Sequence, residues 1–231
     1  MKSTWKKMIA DILRENKSLM LFIALMFVFR SAVADWNFVP SGSMYPSVLV
    51  GDEIFVNKLA YDLKVPFIGK QITRWADPQR GDIVVFYSPE DDVRLVKRVV
   101  GVPGDVVVMV NNHLIVNGTP AEYSAVTGYV AEQTEHKFAD QQHIYSEKIE
   151  SVSHPMMVTP TKPAMRSFGP VVVPLGQYLF LGDNRDNSKD SRYIGLVSRD
   201  RIIGRARNVL ASWNADNFFL PRTERFWYRL P

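Results

Sequence analysis

Between Ser18 and Phe29 the chain reads SLMLFIALMFVF, with no charge and almost no polar group. A helix that is apolar on every side lacks the polar face of a surface helix, so it needs lipid or protein around it. Arg30 interrupts the run, Ser31-Ala32-Val33-Ala34 extends it, and Trp36 follows, an aromatic residue suited to the membrane–water boundary. Ser18 to Ala34 is 17 residues, the short end of what spans a bilayer as a helix. Arg30 lies near one end, where its long side chain can snorkel to the headgroups.

Three readings compete for this segment. It is an uncleaved anchor with the amino terminus on the cytoplasmic side, or a cleavable secretory signal with an A-x-A match at Ala32-Val33-Ala34, or a buried core helix. The first two put the rest of the chain across the membrane. Charge supports a membrane-flanking segment. Residues 1–34 hold six basic and two acidic side chains, while the other 197 residues carry 22 of each. The net charge of +4 therefore sits beside the apolar run and not as a patch on the folded domain, which argues against a nucleic-acid partner. Cysteine is absent, which excludes disulfides, zinc–thiolate sites and cysteine catalysis, and leaves the redox compartment open.

Beyond the apolar segment the chain reads as short strands between turns. VLVGDEIFV (48–56) and GDIVVFY (81–87) are β-branched and aromatic runs bounded by Gly-Asp turns. LVKRVVGVPGDVVVMV (95–110) is two such runs, and Asn111-Asn112 before LIVNG (114–118) predicts a hairpin. Residues 119–170 are more polar, with prolines at 120, 155, 160, 163 and 170, and are expected to form a less regular insert or cap. Strand signals return at 171–184 and 200–213. The whole predicts a mainly β domain. The aromatic and arginine-rich tail at 218–231 is expected to pack on its own domain, with contact to lipid headgroups as the alternative.

Histidine is the usual base of a serine hydrolase. His113 falls in the hairpin turn and His136, His143 and His154 in the irregular insert, so all four are expected at the surface, and none has metal-ligand spacing. Two other segments carry chemistry. In Phe38-Val39-Pro40-Ser41-Gly42-Ser43-Met44-Tyr45-Pro46, the prolines stiffen the ends and Gly42 relaxes the backbone, a turn able to expose a hydroxyl. In Arg94–Gly101, strand alternation puts Leu95, Lys97 and Val99 on one face and Val96, Arg98 and Val100 on the other. A lysine among Leu and Val is desolvated, which lowers its pKa and lets a neutral amine act as base for a serine. Taken alone, each segment is better explained by the bland alternative, an ordinary turn serine and a surface lysine on an edge strand. A third segment, Gly182–Arg192, packs six charged and several hydrogen-bonding side chains into one loop, which suggests a network that fixes a site and an Asp190–Arg192 ion pair.

Together these segments resemble the type I signal peptidase family. The resemblance runs through an amino-terminal anchor, PSGSMYPSVLVGD (40–52), RGDIVVFY (80–87), LVKRVVGVPGD (95–105) and GDNRDNSKDSRYIG (182–195), in that order and spacing. It implies Ser43 as nucleophile and Lys97 as general base. It implies that Ser41, with the Ser43 N–H, forms the oxyanion hole, that Ser188 orients the lysine amine, and that Asp183, Arg185, Asp190 and Arg192 are supports. Substrate would lie extended beside residues 37–40 and 94–96, over alanine-accepting pockets lined in part by Val39, Met44, Val48, Leu95 and Val96.

The fold implied is a signal-peptidase/LexA-like β catalytic domain. Its organisation would be a cytoplasmic segment (1–17), a transmembrane anchor (18–34) and an extracytoplasmic catalytic domain (35–231) with a cap at about 107–170. The implied location is the bacterial cytoplasmic membrane, with the catalytic domain periplasmic. The implied partners are signal peptides of secreted preproteins and the lipid bilayer, with no metal or cofactor. Ala32-Val33-Ala34 then becomes a candidate self-cleavage site. Three rivals share features of the chain. A repressor-type Ser–Lys protease would be soluble with a DNA-binding head. A silent anchored module would be expected to lose Ser43 or Lys97. A peptidase dedicated to one substrate would look the same in sequence.

Overall fold

The computed structural model describes residues 5, 15–126, 142–214 and 217–231. Helix α1 (Lys17–Ala32) contains the apolar run, and every residue from 15 to 30 is exposed. Only Ala32 of the helix is buried, which removes the core-helix reading. The helix has 16 residues, about 24 Å at ~1.5 Å per residue. No helix among the described residues is long and apolar enough to cross a membrane.

The larger sheet has the order β1-β2-β16-β5-β6-β14-β15, with β17 pairing β16. Its strands are β1 (Ala34–Phe38), β2 (Asp52–Asn57), β5 (Ile83–Tyr87), β6 (Arg94–Gly101), β14 (Gln177–Leu181), β15 (Val197–Ser198), β16 (Ile202–Asn214) and β17 (Leu220–Pro221). β16 pairs with both β2 and β5 and shifts register along each, so one 13-residue strand bends through the sheet. A short hairpin, β3 (Asp62–Lys64) with β4 (Gln71–Arg74), stands apart. The sheet is buried on both faces at its centre. Val39, Met44, Val48, Ile54, Val85 and Val209 lie in one core, and Val84, Phe86, Val99 and Phe180 in another.

The cap differs from the sequence expectation. Residues 119–170 were expected to be less regular than their flanks, yet the described ones form well-paired strands. One sheet is β10 (Glu122–Ala125), β11 (His143–Ile149) and β12 (Val152–Val158). The other has the order β13-β7-β8-β9, from β7 (Val106–Val110), β8 (His113–Val116), β9 (Thr119–Pro120) and β13 (Phe168–Val172). Three of the five prolines that suggested irregularity occupy edge strands, while Pro160 and Pro163 lie in the loop between β12 and β13, where the expected irregularity holds. Pro120 is on β9, Pro155 on β12 and Pro170 beside the register shift of β13. At an edge a missing N–H breaks no ladder. The Asn111-Asn112 hairpin joins β7 to β8, with both residues at positive φ, as a two-residue turn requires.

Candidate active site

Ser43 sits in the turn that follows β1, and Lys97 on β6. Val39 accepts and donates backbone bonds with Gly51 and Asp52, so the turn closes onto the start of β2. Its far end is pinned by Ser47, whose hydroxyl donates to Asp183 Oδ2 at 2.5 Å. Ser43 Oγ and Lys97 Nζ, 54 residues apart in sequence, lie 2.7 Å from each other. The amine makes one further bond, to the Val96 carbonyl at 2.9 Å.

Lys97 is 2% exposed, so it is no surface lysine. Burial pulls its pKa down from 10.5 to about 8, against Asp190 and Asp183, which favour the charged form. A sizeable neutral fraction therefore exists near neutral pH, and a neutral amine 2.7 Å from a hydroxyl can take its proton. Arg98, on the opposite face of β6, is also buried, so both faces of the strand are dry. It meets Asp183 through two bonds of 2.8 and 2.7 Å and donates to Ser47 Oγ at 3.1 Å. Strand alternation alone puts Lys97 and Arg98 on opposite faces and requires only one of them to face a drier environment. Arg98 could be buried as well because Asp183 compensates it.

The loop 182–192 wraps this pair. Asn184 donates its backbone N–H to Ser43 O at 3.1 Å and its side-chain amide to Gly42 O at 2.9 Å. Asp190 accepts from the Gly182 N–H at 2.9 Å and holds Arg192 through bonds from Nε and Nη2, both 2.8 Å. Arg192 returns a bond to Arg185 O at 2.6 Å. Helix α2 (Ser191–Ile194) begins here, its first turn capped by Asp190. Gly182 is required by space. A Cβ there would lie 2.2 Å from Ser188 Oγ and 2.5 Å from Ser43 O. Ser188 is buried and its hydroxyl has no hydrogen-bond partner among the described residues, while Ser41 is exposed.

Four of the five residues named for substrate pockets gather beside Ser43. Val39, Met44 and Val48 share one core cluster, and Val96 packs against it. Leu95 points the other way and packs on the cluster of Tyr61, Val84 and Phe86.

His113 and His143 are exposed, and His136 lies outside the described residues. His154 corrects the surface expectation. It is 2% exposed, on β12, directly across from Glu147 on β11. The alternation of that strand turns it inward. Sequence reasoning also passed over Ser47, Arg98, Glu147 and Asn184. Only Arg185 carried a signal for them, since an arginine beside an apolar strand needs a carboxylate when buried.

A family model described as signal peptidase, peptidase S26, matches residues 12–213, which include helix α1, Ser43, Lys97 and the 182–192 loop. The chain belongs to the signal peptidase family. A signal peptidase I of Pseudomonas fluorescens is 37% identical over 213 residues, covering 86% of this chain and 72% of its own. One from Pseudomonas aeruginosa is 33% identical over 216 residues, covering 86% and 72%. A solved signal peptidase I of Enterococcus faecalis aligns with 56% of this chain and 96% of its own at 30% identity. Its TM-score of 0.34 is too low to carry an argument about shape. Membership of this peptidase family makes the chain an enzyme of that kind.

Proposed function

We propose that the chain is a membrane-anchored serine endopeptidase that removes signal peptides from exported preproteins after Ala-x-Ala type sites. The observation that carries the reading is the 2.7 Å approach of buried Lys97 Nζ to Ser43 Oγ. In this mechanism the neutral Lys97 amine takes the Ser43 hydroxyl proton as Oγ attacks the scissile carbonyl carbon. The developing oxyanion is held by the Ser43 N–H, which no group accepts from among the described residues, and by the Ser41 hydroxyl. The Lys97 ammonium then gives its proton to the leaving amine as the C–N bond breaks, leaving an ester on Ser43. Water, deprotonated by Lys97, attacks that ester and releases the signal peptide as a carboxylate, and the proton returns to Ser43. The Ser188 hydroxyl, buried and without a hydrogen-bond partner among the described residues, would orient the amine by turning to it.

Two free strand edges favour an extended substrate. β1 is an edge strand, and β14 pairs only with residues 98–101 of β6, leaving 94–97 open on that side. Arg94 ties the two edges together, contacting Asn37 on β1. A peptide added there would place alternate side chains toward Val39, Met44, Val48 and Val96. Leu95 would line a separate pocket on the other face.

The anchoring rests on α1. Residues 19–29 of this helix are all apolar and all exposed, a surface that lipid would cover. The anchor expected over 18–34 is shortened, because α1 stops at Ala32 and Ala34 already belongs to β1, so we assign residues 1–17 to the cytoplasm, the exposed part of α1 to the cytoplasmic membrane of a bacterium and the domain from Ala34 onward to the periplasmic side. Incubating the detergent-solubilised chain with an Ala-x-Ala preprotein and weighing the product tests the reading. It is supported by a new amino terminus immediately after the second Ala that is absent with Ser43→Ala. A cut elsewhere, or cleavage by Ser43→Ala, sinks it.

A further inference from the structure

The residues that place Ser43 are themselves held from two sides. Asn184 carries both bonds to the Ser43 turn, and its neighbours in sequence are gripped by opposite parts of the fold. Asp183 is held from the catalytic sheet by the Arg98 guanidinium and by Ser47. Arg185 is held from the cap. Its Nη1 and Nη2 reach Glu147 Oε1 and Oε2 at 2.9 and 2.5 Å, and Tyr123 of β10 donates to Glu147 Oε1 at 2.6 Å. His154 fills the gap between the two grips, with Nε2 3.2 Å from Glu147 Oε2 and 4.0 Å from Asp183 Oδ1. The Met157 N–H of the same strand donates to Asp183 O at 2.8 Å.

We propose that Glu147, on cap strand β11, is a positioning residue for Ser43, acting through Arg185 and the backbone of Asn184. An arginine fork paired with a carboxylate fixes direction as well as distance. With a fork on each side, Asn184 has little freedom to move its N–H or its amide away from Ser43 and Gly42. Fixing geometry is what a buried ion pair does best, since apolar replacements of equal volume often match its stability. Misplacement of a reacting group by about 1 Å can cost on the order of 100-fold in rate. The charges balance locally. Arg98 and Arg185 face Asp183 and Glu147, and burial together with Arg98 pulls the His154 pKa below its ordinary value, which favours a neutral ring. The cap therefore reaches the reacting centre without touching substrate.

This inference rests on the reading of Ser43 and Lys97 as the reacting pair, and Ser43→Ala separates the two. If Ser43→Ala still cleaves, that reading fails before Glu147 is in question. The experiment compares Glu147→Gln and the double variant Glu147→Gln/Arg185→Gln with the wild type on an Ala-x-Ala peptide, after thermal scans establish folding. The double variant avoids leaving a buried, uncompensated guanidinium. The expected result in a folded variant is kcat lower by about tenfold or more, KM within about twofold, and the pH midpoint of kcat moved upward as Lys97 becomes less sealed. A folded variant with wild-type kcat and pH midpoint overturns the proposal. Failure of both variants to fold assigns the pair to stability alone and overturns it too.

Discussion

Asn184 donates two hydrogen bonds to the segment that carries Ser43, one from its backbone to Ser43 O and one from its side chain to Gly42 O. Ser43 is thus placed by a residue 141 positions further along the chain, on a loop fixed by buried ion pairs. Asn184→Ala keeps the backbone bond and deletes the other. The expected result is a loss of about 1 kcal/mol of stability with kcat down by about tenfold and KM little changed. Thermal unfolding and steady-state kinetics on a peptide substrate check both numbers.

Gly182→Ala is expected to be worse. The added methyl would overlap Ser188 Oγ and Ser43 O, and the second of these is backbone and cannot swing away. Overpacking of this kind typically costs about 1–3 kcal/mol. The shift needed to relieve it moves Ser43, so kcat should fall by about 100-fold or more in protein that remains folded. Circular dichroism with activity measured on the same sample reads both effects.

The depressed pKa of Lys97 fixes a direction of pH dependence. The base must be neutral, and its neutral fraction grows as pH rises through about 8. The rate of cleavage should therefore climb about tenfold per unit below that value and level off above it. Stability carries the same group with its own sign. Between about 8 and 10.5 the unfolded chain holds more protons than the folded one, so this term increases stability as pH rises. A cleavage rate flat from pH 6 to 10, with chemistry limiting, would contradict it.

The carboxylates act at the other end of the scale. Burial, the largest single cause, pushes Asp183 and Glu147 up, but the partners together outweigh it, Arg98 with His154 and Ser47 for Asp183 and Arg185 with His154 for Glu147, so both are held below the usual carboxylate range. Their contribution is fully present above about pH 4 and is lost as pH falls through the folded values. Urea midpoints should drop on acidification below that point. Asp183→Asn, which leaves Arg98 buried without its partner, should lose about 3–5 kcal/mol at pH 7 and flatten the acid limb.

The sequence made the strands and the dry face of Lys97 legible because both obey local rules. Alternation around Lys97 put Leu95 and Val99 on its face and Arg98 on the other, and the Asn111-Asn112 turn follows from two residues that tolerate positive φ. The supports depend on pairings the sequence does not announce. Glu147 and His154 become partners only once β11 and β12 align, and the loop that needs them is 38 residues from Glu147. Proline misled at Pro120, Pro155 and Pro170 because edge strands tolerate what central strands do not, whereas Pro160 and Pro163 do lie in a loop. The tail divides between its two expectations. Arg225 is buried against Asp52 and Leu230 joins the core, while Phe218, Phe219 and Trp227 stay exposed. Ala34 of the Ala-x-Ala match is buried and paired in β1 opposite Asn57, which shields the bond that follows it from self-cleavage in the folded chain.

The central claim is that Ser43 and Lys97 react as one unit, and single-turnover cleavage of an Ala-x-Ala preprotein by Ser43→Ala and by Lys97→Ala tests it most directly. The account predicts that both variants fold and that each loses roughly 1,000-fold or more in rate, with the double variant no worse than either single one. Cleavage by either single variant within about tenfold of the wild-type rate, or losses that multiply in the double variant, would contradict it.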